Sequence, residues 1–160
     1  MSPERGNGHD ARLSRVRGPS DQSRWLLDLT EIDQLLIALT AALDARRWQD
    51  YAAFYAADGI LDLDGLPPVK QPDLAAHVER AVGTFAATQH AVSNHRIEVA
   101  GDQATSRAAF LVTHVETDDP ADCHHLGGWY DGAYRRTTDG WRFVRLRPSI
   151  VWRNASSREP

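Results

Sequence analysis

The apolar positions change period midway along the chain, and that change predicts the architecture. Ile32, Leu35, Leu36, Leu39 and Leu43 recur at helical spacing. Thr30, ahead of Glu31 and Asp33, has the form of an N-cap with an acidic first turn, so a first helix is expected over residues 31–45. Trp48, Tyr51, Phe54 and Tyr55 anchor a second helix over 48–56. The alternation ILDLD predicts a short strand over 60–64, ended by Gly65 and the Pro67–Pro68 pair. Pro72 stands where a helix favours its first residue, and Leu74, His77, Val78, Ala81, Val82 and Phe85 carry a third helix to about residue 87. Beyond it the period is two. Strands are expected over 89–99, 104–117, 124–137 and 141–152, with turns at Gly101–Asp102 and Thr138–Asp139–Gly140. Pro148 marks a bulge or an edge in the last strand.

Helices first and an antiparallel meander afterwards make an α+β fold. Strands this long must curl, because a flat sheet of that length is unfavourable. The expected form is a cone: a curled antiparallel or mixed sheet, a half-barrel, closed by the three helices. Its apolar interior, open at the mouth, is a natural small-molecule pocket. Residues 1–24 lack an apolar period and read as a polar leader, disordered or loosely docked. Residues 25–154 read as one domain and 155–160 as a tail.

Composition narrows the function classes. The 160 residues are 42% hydrophobic and 25% charged, the balance of a single water-soluble core. No stretch approaches the ~20 apolar residues of a membrane span. The net charge is −4, which argues against a basic nucleic-acid surface. A single cysteine, Cys123, excludes an internal disulfide and Cys-rich zinc sites. Residues 1–24 hold no apolar secretory core, so a cytoplasmic location is the expectation.

Histidines carry the candidate chemistry. His90 opens the first long strand and His114 lies within the next. A tight turn at Gly101–Asp102 puts them on facing or near-facing positions. Two imidazoles on one concave face could serve as general base and general acid, since both protonation states are accessible near neutrality. Two buried histidines satisfied by neighbours would give the same spacing. Asp44 follows the core residue Leu43 at a helix C-terminus, where the dipole disfavours a carboxylate. Facing solvent it needs no partner; facing inward it needs one, and a sheet histidine is suitable. Tyr130 lies between Gly128 and Gly132, whose lack of bulk suggests room for a ligand beside a phenol able to stabilise an enolate. The other reading of Tyr130 is a core aromatic. His124 and His125 are adjacent on a strand, point to opposite faces and cannot share a metal, so no metal site is expected.

Three segments carry a family resemblance: LDARRWQDYAAFYAADGILDLDG, TQHAVSNHRIEVAGDQATSRAAFLVTH and GWYDGAYRRTTDGWRFVRLRPSIVW. Over about residues 25–154 the chain resembles the nuclear transport factor 2-like superfamily, in its SnoaL-like branch of polyketide cyclases and scytalone-dehydratase-like proteins. That resemblance implies a cone-shaped fold with the active site inside. It implies an Asp–His pair at Asp44 and His90 and a second histidine at His114. Departures are plain. Leu43 and Leu63 stand where the family has tyrosines, and Gly128 and Tyr130 roughly where it has serine and asparagine. Tyr51, Tyr55 or Tyr130 are the phenols left to replace them. The implied pocket lining is Trp25, Tyr51, Tyr55, Leu63, Val112 and Gly128.

The activity so implied is that of a cofactor-free dehydratase, cyclase or isomerase, with a small hydrophobic cyclic or polyketide-type carbonyl compound as substrate. His90, oriented by Asp44, removes a proton; Tyr130 stabilises the enolate; His114, or His90 in its protonated form, protonates a leaving hydroxyl. Two other roles fit the same resemblance: a non-catalytic module for a hydrophobic ligand, and a small structural subunit of a ring-hydroxylating dioxygenase. A homodimer is expected, with Trp141 and Trp152 covering the outer face of the sheet.

Overall fold

The computed structural model describes residues 19–119 and 121–154. The leader expected over 1–24 lies outside them up to residue 18, as does the tail expected over 155–160. The elements are α1 (Pro19–Asp44), α2 (Trp48–Ala53), β1 (Tyr55–Leu61), β2 (Val69–Lys70), a 3₁₀ turn (Gln71–Asp73), α3 (Leu74–Val82), β3 (Ala87–Ala100), β4 (Gln103–Val115), β5 (Cys123–Thr137) and β6 (Gly140–Arg153). The strands form one curled, unclosed sheet in the order β2-β1-β6-β5-β4-β3, antiparallel throughout except for the parallel pair β1·β6. The architecture is therefore the expected α+β half-barrel. Among the described residues no helix is long and apolar enough to cross a membrane.

The first helix begins twelve residues before the expected start at Glu31. Thr30 does not cap it; its hydroxyl donates to the Leu26 carbonyl one turn back, at 2.9 Å. Tertiary contacts hold the added turns. Asp28, 4% exposed, accepts a fork from Arg136 at 2.7 and 2.8 Å and a bond from the Trp141 indole at 3.3 Å. The Arg136 bonds hold the Asp28 carboxyl below its ordinary range. No local apolar period announces this anchor, because it is polar and its partners are 108 and 113 residues away. Trp141, expected on the outer face, is 2% exposed beneath the Arg136 guanidinium. Trp152 is half exposed, as are Leu111, Trp129 and Ile150.

Two further boundaries move for one reason, long-range strand pairing. The second helix stops at Ala53, and Tyr55 enters β1 opposite Phe143, with the Phe143 N–H donating to the Phe54 carbonyl. The third helix stops at Val82, and the chain is already in β3 by Ala87. Pro148 sits on β6 beyond Leu146, the last β6 residue paired with β1, so its missing N–H faces an unpaired edge.

The end of α1 is held by backbone geometry. The Arg46 N–H bonds to the Leu43 carbonyl and the Arg47 N–H to the Ala42 carbonyl, a Schellman closure with Arg46 left-handed at φ 55°. Glycine is the usual residue there. Arginine is used because its guanidinium donates to the carbonyls of Gly83, Phe85 and Ala86, tying the helix end to the start of β3. Asp44 is thereby set over β3.

Candidate active site

Asp44 and His90 meet. The carboxylate accepts the His90 Nδ1–H at 2.6 Å, the His90 backbone N–H at 2.8 Å and the Thr88 hydroxyl at 3.0 Å. Burial pushes the Asp44 carboxyl up, but the side-chain and backbone bonds from His90, its charge and Thr88 outweigh it and hold the group below its ordinary value. The unfavourable helix dipole is answered by the same three donors. A carboxylate can only accept, so it fixes the proton on Nδ1 and leaves His90 Nε2 with its lone pair. The His90 side chain is 6% exposed.

His114 lies beside it, with ring centroids 6.3 Å apart. The register pairs His90 with Val112 and Thr88 with His114, so the two histidines are diagonal neighbours on one face. A bulge between Ser93 and Arg96 sets that offset from the turn. Phe85 stacks on the His114 ring at 4.1 Å. Burial first, then the neighbouring His124 and His90 charges, push His114 down to about 4, with Asp44 opposing. His114 is therefore a neutral imidazole near pH 7.

Tyr130 occupies the inner face of β5, 7% exposed, with its ring tilted on Phe110 at 4.5 Å. Burial pushes its phenol up, so it keeps its proton, and its hydroxyl has no hydrogen-bond partner among the described residues. The room expected beside it over Gly128 and Gly132 is taken. A Cβ on Gly128 would stand 2.0 Å from the Ser149 carbonyl oxygen and 2.9 Å from Phe110, and one on Gly132 would meet the Tyr134 ring. Space does adjoin Tyr130, but neither glycine lines it. A cavity of about 160 Å³ is lined by Tyr130, Tyr51, Leu43, Leu63 and His77 among others.

The remaining expected lining residues divide. Tyr51 and Leu63 line this cavity. Tyr55 is bonded to Tyr51 through the two hydroxyls at 2.9 Å; burial pushes Tyr51 up to about 12 and holds Tyr55 well above its ordinary value. Val112 is buried opposite His90 in the register and does not line the cavity, and neither do Asp44, His90 and His114. Gly128 is filled over. Trp25 is no part of it: nineteen helical residues before Asp44 place it about 28 Å away along α1. It borders a surface groove with Asp21, Arg24 and Arg136.

Other residues join the site without having been anticipated. His77 lines the cavity, held below its ordinary value by burial and by Arg80. His124 Nε2 lies 3.0 Å from His114 Nδ1, and Glu116 Oε1 lies 2.6 Å from His124 Nδ1. Strand alternation could have found this pair: His114 is opposite His124 in the register, and Glu116 shares the His114 face. His125 points the other way, to Thr113 and Cys123.

Residues 24–147 match the family model described as a SnoaL-like domain. An uncharacterized protein of Mycobacterium tuberculosis is 32% identical over 120 residues, covering 74% of this chain and 82% of its own. The Kfla4162 protein of Kribbella flavida shares the fold with a TM-score of 0.75 at 26% identity, over 81% of this chain and 95% of its own. A proposed scytalone dehydratase from Novosphingobium aromaticivorans matches with a TM-score of 0.76 at 18% identity, over 86% and 93%. The hexachlorocyclohexane dehydrochlorinase LinA-type3 from Novosphingobium barchaimii matches with a TM-score of 0.73 at 19% identity, over 87% and 99%. At such identities the last two establish a common fold.

Proposed function

The chain belongs to the SnoaL-like domain family, and on that premise we propose that it is a cofactor-independent acid/base enzyme, a lyase or isomerase of secondary metabolism. Its substrate is a small apolar cyclic or polyketide-type carbonyl compound. The observation that carries this reading is the double grip of Asp44 on the His90 ring and backbone. That grip presents His90 Nε2 as a base in one orientation. Tyr130, a buried phenol with no acceptor among the described residues, then donates to the carbonyl oxygen as it gains negative charge. His114, neutral and adjacent, handles the second proton.

Two structural neighbours support elimination chemistry. Dehydration and dehydrochlorination each remove a proton and a leaving group from adjacent carbons, and proteins bearing those names share this fold. The cavity beside Tyr130, which Asp44, His90 and His114 do not line, would limit the size of a substrate held by that phenol. At about 160 Å³ it is close to the apolar hollow of roughly 150 Å³ that holds benzene, so compounds of one ring are favoured.

The test needs no knowledge of the natural substrate. The full chain is incubated with small cyclic ketones in deuterium oxide, and loss of the α-proton signals is followed by NMR. The wild type accelerates exchange, and His90→Gln lowers the rate by about 10²–10⁴-fold. Equal exchange by the two proteins overturns the proposal.

A further inference from the structure

Three imidazoles line up between two carboxylates. Asp44 holds His90, and Glu116 holds His124, each at 2.6 Å from Nδ1. His114 stands between them, bonded to His124 at 3.0 Å and separated from His90 by 6.3 Å between ring centroids. Among the described residues it is the one member of the three with no carboxylate bonded to its ring. His124 is 21% and Glu116 35% exposed at the side chain, while His114 is nearly buried. The row therefore runs from the interior to solvent. Phe85 lies face to face with His114 and edge-on to His124, which confines both rings.

A buried histidine that stays neutral down to about pH 4 is scarcely present as a cation near pH 7, so the cation is not an available acid there. It can still give up a proton as a neutral ring, provided a neighbour replaces that proton on the other nitrogen.

We propose that His124 and Glu116 are positioning residues forming a proton relay to His114, which makes His114 the acid of the site while its ring remains neutral. This deepens the acid/base reading and rests on it. In the charged state His124 carries protons on both nitrogens, Nδ1–H on Glu116 and Nε2–H on His114 Nδ1. His114 then holds its own proton on Nε2. As a leaving oxygen takes that proton, the His114 Nε2–H bond breaks and its electron pair stays on nitrogen. The His124 Nε2 proton passes to His114 Nδ1 along the 3.0 Å contact. His124 returns to neutrality with Nδ1–H still on Glu116, and one proton has left the row. Solvent restores it through the exposed end. The groups that bear on His114 are His90 with Asp44 behind it, His124 with Glu116 behind it, and the uncharged Phe85.

The experiment is long-range proton–nitrogen correlation NMR on the nitrogen-labelled full chain, which reads the tautomer of each histidine across a pH series. In the wild type His114 is Nδ1–H at high pH and switches to Nε2–H, still neutral, as His124 takes up a proton. Glu116→Gln moves the midpoint of that switch to lower pH, because the carboxylate facing the charge is gone. His124→Gln abolishes the switch. A wild-type His114 that keeps one tautomer until it becomes a cation overturns the relay, and needs no variant to fold. An unmoved midpoint in a folded Glu116→Gln overturns it as well. The same spectra report His90. If His90 lacks the Nδ1–H tautomer, or keeps it unchanged in Asp44→Asn, the acid/base reading itself fails. If His90 behaves and His114 does not switch, the relay alone fails.

Discussion

The helix α1 and the strand β3 make the same contact twice, with different consequences. Asp44 bonds His90 Nδ1 at 2.6 Å, and Asp33 bonds His95 Nδ1 at 2.8 Å. Eleven helical residues separate the aspartates and five extended residues the histidines, and each interval covers about 16 Å. A helix running against a strand can therefore repeat the pair. Residues five apart on a regular strand face opposite ways. The bulge between Ser93 and Arg96, with Asn94 left-handed at φ 51°, adds the residue that turns His95 back toward α1.

What surrounds the pairs differs. Asp44 also holds the His90 backbone and Thr88, and His90 looks across to His114. Among the described residues Asp33 has the ring contact as its one side-chain bond, and His95 Nε2 is buried with no partner. A carboxylate–imidazole pair is in the first place a clamp between elements. It becomes a candidate site only where the free ring nitrogen has chemistry to address.

That difference can be broken first through activity. Asp44→Asn is expected to slow α-proton exchange by about 10²-fold or more, because nothing then fixes the His90 tautomer. Asp33→Asn is expected to change it by no more than about twofold, since among the described residues the His95 ring meets no second imidazole as His90 meets His114. Equal losses would make both pairs structural. Stability gives the next effect. Asp33→Ala leaves the His95 Nδ1–H buried without an acceptor and should cost about 1–3 kcal/mol in denaturant unfolding. Asp44→Ala should cost more, since three donors lose their acceptor.

The smallest expected effect is a slope. Unfolded, His114 takes a proton near its ordinary 6.5; folded, it stays neutral down to about 4. The unfolded state thus binds more protons between those values, so stability falls as pH falls across the window. The Asp44 contribution has its own range: present above the ordinary 3.8, it is lost only as pH falls through the lower folded value. His114→Gln should flatten the decline between pH 6.5 and 4 in denaturant midpoints while leaving the steeper acid loss in place.

Much of the site was legible because it sits on regular periods. Leu43 and its helical partners marked the helix that ends at Asp44, and the turn at Gly101 brought His90 near His114. The diagonal offset was not legible, since one bulge residue in β3 shifts the count and leaves no mark in composition. Glu116 and His124 were readable from alternation once the β4·β5 register was known. The room assigned to Gly128 failed because a missing side chain does not say what moves into its place; here it is Phe110 and the Ser149 backbone.

Local patterning determined the helices, the long strands and the α+β order, because periods of 3.6 and 2 are properties of neighbouring residues. It also determined that Asp44, if turned inward, needs a cationic or donor partner, since an unpaired buried carboxylate is costly. Tertiary structure alone decided the rest. It extended α1 through the Asp28–Arg136 anchor and cut α2 short to begin β1. It also closed the cavity to about one ring's volume and joined Glu116, His124 and His114 in a row. Each of these depends on which distant strand lies alongside, and pairing across many tens of residues is set by the global packing of the sheet rather than by any local preference.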